Sequence, residues 1–387
     1  MAEPVIVAAV RTPIGRAFKG SLVDWRPDEL GALAVRAVLD RLPQLDPAEI
    51  DDLICGCGQP GGEQGFNLGR VIAILAGLPV PGTTITRYCS SSLQTTRMAA
   101  HAIRAGEGDV FLSVGVETVS RLVHGSSDSE ANRNPRLLAG NAEGFPDIYI
   151  KMGMTAENVA EREGVSREEM DRFAKSSQDR AVGAQASGHF DAEIVPVPLA
   201  DGAVMSRDDG PRAGTTLEKL ATLPPVFKED GLVTAGNSCP LNDGAAAVVV
   251  MSDTRARDLG ITPLARIVST GLSQLEPEYM GLGPVGASRQ ALARAGMTIG
   301  DVDVVEINEA FAAQVIPSAR GIGLDPFSDR LNPFGGAIAL GHPFGMTGAR
   351  ITTTLLNDLA TLGTTVGLET MCVGGGMGMA MVVERLA

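Results

Sequence analysis

One order of elements occurs twice along this chain, and that repetition restricts the fold more than any other feature of the sequence. Near the N-terminus an apolar run, PVIVAAVRT, precedes LGALAVRAVLDRL, whose apolar residues recur every three or four positions as in a half-buried helix. An acidic turn then leads into a strand, LDPAEIDDLICG. From residue 263 the plan recurs as PLARIVSTG, VGASRQALARAGM and MTIGDVDVVEINEAF. Each copy continues through a Gly- or Ser-rich junction into a second helix, TRYCSSSLQTTRMAAHAI in the first and GGAIALGHPFGMTGARITTTLL in the second. Each closes on strands: DVFLSVGVE and AAAVVVM, then TTVGLETMCVGGG and GMAMVVERL. Matching order over several elements predicts a duplicated α/β fold.

If the halves are duplicates, residues 118–236 are an insertion in the first. The domains expected are a first half from residues 1–117 plus 237–260, the inserted segment, and a second half from 261–387. The insertion holds a Ser/Asn/Gly stretch, HGSSDSEANRNP, and one helical region from Thr155 to Gly188. Its cations include Lys151, Arg207, Arg212, Lys219 and Lys228. Long insertions between core strands commonly serve as lids or binding modules.

A net charge of -14 argues against nucleic-acid binding and requires local cations wherever an anion binds. The five cysteines are odd in number and scattered, unlike a secreted disulfide framework, so a cytoplasmic protein is expected. The apolar run at the start is too short for a signal segment or a membrane span. Gly56-Cys-Gly-Gln-Pro-Gly61 and Gly281-Leu-Gly-Pro-Val-Gly286 match a dinucleotide fingerprint in letters, but neither has the full strand, helix and acidic context. Cys55 and Cys57 have no second pair and only four histidines accompany them, so buried thiols are expected and no metal.

Cys89 lies where the strand TTIT meets a helix, a place where free N–H groups and the helix dipole lower a thiol pKa. A buried inert cysteine fits the same position. Ser90 and Ser91 then read as caps for the first turn. His342 occupies the matching junction of the second copy, so the pseudo-two-fold would bring a Cys/His pair together. Cys372 ends a strand before Gly374, Gly375 and Gly376, whose bare backbone suits an oxyanion site. A thiol there is a candidate acid or base. Asn308 ends another strand and reads as a water-positioning group or as a helix cap.

Together these pieces resemble the thiolase family over essentially the whole chain. PVIVAAVRTPIGR, CSSSLQ, MGMTAENVA, AGNSCPLNDGAAAVVVMS, NEAF, GGAIALGHPFGMTGAR and CVGGGMG follow in the family order. The resemblance implies two βαβαβαββ halves in a five-layered α-β-α-β-α arrangement with an inserted loop domain. It also implies an acetyl-CoA C-acyltransferase or C-acetyltransferase, running thiolysis of 3-ketoacyl-CoA or Claisen condensation of acetyl-CoA. Cys89 would be the acylated nucleophile, His342 its base, and Cys372 the acid/base at the α-carbon. His342 with a water on Asn308 would form one oxyanion hole. The N–H groups of Cys89 and Gly374 would form the other. No permanently bound cofactor is implied; coenzyme A thioesters are substrates. Met152, Phe227, Ala235, Ala310 and Phe311 match positions along the pantetheine and Arg212 one near the nucleotide. Cys239 and Lys219 stand where serines of the coenzyme A tunnel are usual. Lys151, Ser92 and Met377 also depart from the family pattern, replacing His, Gly and Gln. A homodimer or homotetramer is implied, with SSDSEANRNP where a tetramer-forming loop would lie. A ketoacyl synthase would carry a second active-site histidine where Asn308 stands. A non-catalytic acyl-CoA or lipid binder would lack one of the three reactive side chains.

Overall fold

The structure is a computed structural model and describes residues 2–387. The first half contributes β1 (Pro4–Arg11), α1 (Pro27–Leu39), β2 (Asp52–Cys57), α2 (Leu68–Leu75), β3 (Gly82–Ile85), α3 (Ser91–Ala105) and β4 (Val110–Thr118). The insertion carries α4 (Met152–Glu163) and α5 (Arg167–Ser187), and β5 (Asn242–Ser252) completes the half. The second half contributes β6 (Ala265–Gln274), α6 (Gly283–Ala295), β7 (Val304–Ile307), α7 (Ala312–Ile322), α8 (Thr347–Leu362), β8 (Val366–Val373) and β9 (Met377–Arg385).

The duplication is visible in the strand order. The first half runs β3-β2-β4-β5-β1 and the second continues β6-β9-β8-β7. β2 pairs parallel with both β3 and β4, β7 pairs parallel with β8, and the remaining pairs are antiparallel. An isolated parallel bridge from Val305 to Leu331 stands where the second half would have its counterpart of β3. The two halves join edge to edge through Val5↔Arg266 and Ile6↔Ala265 of β1 and β6.

Alternation along these fully buried strands builds the layers. Val5, Val7, Ala245, Ala247 and Val249 face α1 and α2 in one apolar cluster. Ile6, Ala246, Val248 and Val250 face the other way, with Leu93 and Ala99 of α3, Ile351 and Leu355 of α8, and Met371 and Met379 of the second half. Leu368, Ala380 and Val382 point outward onto α6 and α7. The result is five layers, helices outside and between two sheet halves. The central pair α3 and α8 approach so closely that a Cβ at Gly348 would lie 2.2 Å from Leu93 N, which requires glycine.

The inserted segment is tied down by charge as well as by packing. Buried Arg11 of β1 binds Asp208 Oδ1 at 2.7 Å and Glu193 Oε1 at 2.5 Å. The single helical region expected from Thr155 to Gly188 is two helices. Gly164 is left-handed at φ 66 and ends α4, and Ser166 Oγ accepts Glu169 N at 3.2 Å to start α5. Among the described residues no helix is long and apolar enough to cross a membrane.

Candidate active site

A single tight turn, Tyr88–Ser90, places Cys89 between β3 and α3. Tyr88 takes φ 44, unusual for a non-glycine, and thereby turns the chain sharply ahead of the thiol. Gly374 lines the same cavity as Cys89, and the backbone N–H groups of both act on the thiol. They favour the thiolate, as the helix N-terminus was expected to, yet burial outweighs them and pushes the thiol to about 11, with the Glu117 charge adding to the rise. At rest the group is a thiol that needs a base.

The serines do not cap amides. Ser91 Oγ contacts Tyr88 O at 2.7 Å and Cys57 O at 3.2 Å and accepts Arg87 N at 2.9 Å, while Ser90 Oγ donates to Arg87 O at 3.2 Å. Neither bonds an N–H of the first helical turn. Their hydroxyls hold the carbonyls of the turn instead. Ser92 Oγ instead crosses to the second half, where it accepts Ala349 N of α8 at 2.8 Å.

His342 is buried in the opposing junction. Its backbone N donates to Asn242 Oδ1 at 3.0 Å, which fixes the loop. Thr347 Oγ1 donates to Pro343 O at 2.7 Å, so at 2.6 Å it accepts the proton of His342 Nδ1. That assigns the tautomer and leaves Nε2 unprotonated, its lone pair an acceptor. Asn308 Nδ2 faces Nε2 at 3.3 Å. Burial, with Arg350 nearby, lowers the His342 pKa to about 3, so the ring is a neutral base at rest. Asn308 is not a helix cap, since α7 begins only at Ala312. It is fully buried, and its Oδ1 has no partner among the described residues.

Cys372 closes β8 and is buried; desolvation first, then the Cys89 and Cys239 thiols, raise its pKa well above normal. It is therefore protonated at rest. Cys239 feels the Cys89 charge in turn, and its backbone N donates to Ala310 O at 3.0 Å. Gly375 and Gly376 beyond Cys372 are left-handed at φ 82 and 80, a turn that presents Gly374 N–H to Cys89.

Cys89, Gly374 and Met152 line a cavity of about 360 Å3, walled also by Pro60, Tyr88, Ile148, Ile150 and Phe344, with Lys151 at its edge. Arg212, Lys219 and Ala235 line a second cavity of about 310 Å3 with Ser238. Of the expected apolar set, Met152 lines the first cavity and Ala235 the second. Ala310 holds Cys239, and Phe311 meets Phe227 edge-on at 6.0 Å. The Phe227 ring fills the space where Gly153, next to Met152, would carry a Cβ. A wider cleft of about 1000 Å3 beside Trp25 contains none of these residues.

Sequence reasoning missed Thr347 and Asn242, which orient His342, and Glu117, which binds both walls of the Cys89 cavity. Glu117 is the polar last letter of an otherwise apolar strand, VGVE, and that was the available signal.

Comparison with known proteins agrees with this geometry. Residues 4–254 match the family model described as thiolase, N-terminal domain, and residues 261–385 match thiolase, C-terminal domain. The chain is 44% identical to a beta-ketoadipyl-CoA thiolase of Acinetobacter baylyi, with 100% of each chain covered. It is also 44% identical to a 3-ketoacyl-CoA thiolase of Bacillus subtilis, covering 99% of this chain and 100% of the other. Among solved structures, the Bacillus anthracis acetyl-CoA acetyltransferase matches with TM-score 0.90 and 39% identity, and human mitochondrial 3-ketoacyl-CoA thiolase with TM-score 0.90 and 36% identity. Each match covers 100% of this chain and 99% of the other. The chain belongs to the thiolase family, and its activity is acyl transfer between coenzyme A thioesters.

Proposed function

We propose that the chain cleaves 3-ketoacyl-CoA by thiolysis through an acyl-Cys89 intermediate, and runs the reverse condensation when acetyl-CoA is in excess. The observation that carries this reading is the cavity that Cys89 and Gly374 line together, with the His342 ring held by Thr347 and Asn308 in the opposing junction. In the proposed first half-reaction Cys89 attacks the 3-keto carbon as its proton passes to His342 Nε2. The N–H groups of Cys89 and Gly374 hold the oxygen that becomes negative. The C2–C3 bond then breaks and acetyl-CoA leaves as its enolate. His342, now carrying N–H at Nε2, and a water donating to Asn308 Oδ1 would hold the enolate oxygen. The Cys372 thiol gives its proton to C2. In the second half-reaction the Cys372 thiolate takes the proton of coenzyme A, whose sulfur attacks the thioester. Cys89 leaves and recovers its proton from His342. Every proton returns to its starting group, so the cycle needs no redox partner.

Arg212 and Lys219 suit the phosphates of coenzyme A, and Phe227, Ala235, Cys239, Ala310, Phe311 and Met152 its pantetheine. The largely apolar walls of the 360 Å3 cavity support an uncharged acyl chain over a dicarboxylic one; of its two cations Arg133 is neutralised by Asp128 at 2.9 Å, which leaves Lys151 to meet any carboxylate. We place the domain boundaries at 118 and 236, on either side of the insertion, and at 261 between the halves. A homodimer through the edge strand β3 is supported by its half-exposed residues and by Phe66, 95% exposed, with Ile74 and Leu75 nearby in sequence. Free Cys55, Cys57, Cys89, Cys239 and Cys372 suit the reducing cytoplasm.

Brief exposure to acetyl-CoA, followed by mass spectrometry, tests the chemistry. An acetyl adduct absent from Cys89→Ala is expected; an adduct that persists in that variant overturns the assignment. A panel comparing straight-chain 3-ketoacyl-CoA with 3-oxoadipyl-CoA tests the acyl preference, and a higher kcat/KM for the dicarboxylic substrate reverses it. Light scattering of Phe66→Glu tests the dimer: a monomer is expected, and an unchanged mass rejects this interface.

A further inference from the structure

Glu117 sits at the end of β4, fully buried, and no step above uses it. Its Oε2 accepts Gly58 N at 2.7 Å and Gly345 N at 2.8 Å. Its Oε1 accepts Gln64 Nε2 at 2.7 Å, Gln59 N at 3.2 Å and the Cys57 thiol at 3.9 Å. All five partners donate, and the three backbone ones cannot reverse, so the carboxylate is the form that satisfies the set. Gly58 and Gln59 line the Cys89 cavity, as does Phe344, the neighbour of Gly345. Gly345 itself lies three residues beyond His342. A single oxygen thus binds the loop beside the nucleophile and the loop that carries its base, across the boundary between the halves.

The approach leaves no slack. A Cβ at Gly345 would lie 2.2 Å from Val116 O, and one at Gly115 would lie 2.5 Å from Gly345 O. Gln64 braces the carboxylate from behind, its Oε1 accepting Thr118 N at 2.6 Å while its Nε2 donates to Glu117.

We infer that Glu117 is a positioning residue for thiolysis: its carboxylate clamps the His342 loop to the Cys89 cavity and sets the distance over which the Cys89 proton moves. A displacement on the order of 1 Å in such a pair costs about 100-fold in rate. Substrate binding rests on other residues, so the effect belongs in kcat. This rests on the roles assigned to Cys89 and His342.

Glu117→Gln tests it. The amide replaces one oxygen by an NH2 that meets two N–H donors in either orientation. We expect kcat and the rate of Cys89 acetylation to fall together by at least 30-fold, with KM for both substrates within threefold. A folded E117Q chain with kcat within threefold of wild type overturns the clamp. So does a loss confined to melting temperature. Should E117Q not fold, Glu117→Asp keeps the charge but falls one methylene short of bridging both loops. The same kcat loss is expected there, and wild-type kcat overturns the proposal. The two readings separate through the control. Normal Cys89 acetylation in the wild type beside an indifferent E117Q removes the clamp alone. No Cys89 adduct in the wild type removes the catalytic assignment and the clamp with it.

Discussion

Ser92 Oγ accepts the backbone N–H of Ala349 at 2.8 Å, so a side chain of one half caps the central helix of the other. The N-terminal amides of α8 have no intrahelical acceptors, and Met346 at the cap position cannot supply one. The hydroxyl is fully buried and satisfies a donor that would otherwise be stranded between the two sheet halves.

Ser92→Ala should therefore lower the free energy of unfolding by about 1 kcal/mol, the usual worth of a cap. Urea denaturation measures it. Because Thr347 on the same first turn holds His342 Nδ1, kcat should drop severalfold while KM stays near wild type. Unchanged stability would mean that Ala349 N finds another acceptor.

The resting Cys89 and His342 are both neutral, not a thiolate and an imidazolium. Burial takes the thiol to about 11 and the imidazole to about 3, so neither is charged between those values. Alkylation of the substrate-free enzyme by iodoacetamide should keep rising with pH up to roughly 11, following the thiolate fraction. A plateau beginning below neutral pH would reveal an ion pair and contradict this picture. His342 also affects stability. Its folded value lies below the ordinary 6.5, so the unfolded state binds more protons between the two. The stability it contributes is present above pH 6.5 and is lost as pH falls toward 3.

Cys372 and Asn308 divide the second half of the chemistry. Cys372→Ala should still acetylate Cys89 but lose exchange of the acetyl-CoA methyl protons with deuterated water, because no other assigned group reaches the α-carbon. Normal exchange, read by mass spectrometry, would return Cys372 to a packing role. Asn308→Ala should leave acylation intact and reduce condensation by about 100-fold, the usual effect of removing one oxyanion donor. Equal losses in both half-reactions would place Asn308 with the base instead.

The sequence revealed the fold through repetition and the site through junctions. Strand and helix recur in the same order because both halves must bury two sheet faces and one shared helical layer, and that requirement leaves a pattern in apolar spacing. Cys89 and His342 stood out in the sequence because they occupy equivalent junctions of the two halves. The state of those groups was not. A helix N-terminus suggested a lowered thiol pKa, but the desolvation that reverses the sign comes from residues distant in sequence. The serines failed as caps for a similar reason. Ser91 finds Cys57 O, a partner 34 positions away, and Ser92 finds Ala349, 257 positions away. Glu117 was invisible as a clamp because its donors come from two loops that only the assembled halves bring together.

Behind the site lies a buried charged group whose titration makes the last prediction. Glu306 of β7 and Glu369 of β8 are register partners on parallel strands, and both face the central layer beside Arg350 of α8. Arg350 Nη1 approaches Glu306 Oε2 only to 3.8 Å, while Glu369 Oε1 accepts the Thr352 hydroxyl at 2.9 Å and its Oε2 has no partner. Burial raises Glu369 to about 8, the Glu306 charge adding to the shift and Thr352 and Arg350 opposing it. A folded value above the unfolded one means that the native state holds the extra proton. The stability is complete below about pH 4.5 and declines as pH rises through 8. Glu369→Gln keeps the hydroxyl bond and removes the ionisation. Its advantage over wild type should be near zero at pH 5 and reach a few kcal/mol by pH 8 to 9, since each pKa unit is worth about 1.36 kcal/mol. Paired melting curves at the two pH values decide it: a variant less stable than wild type at both would show that the charge of Glu369 is compensated by Arg350, and that the buried group is ionised throughout.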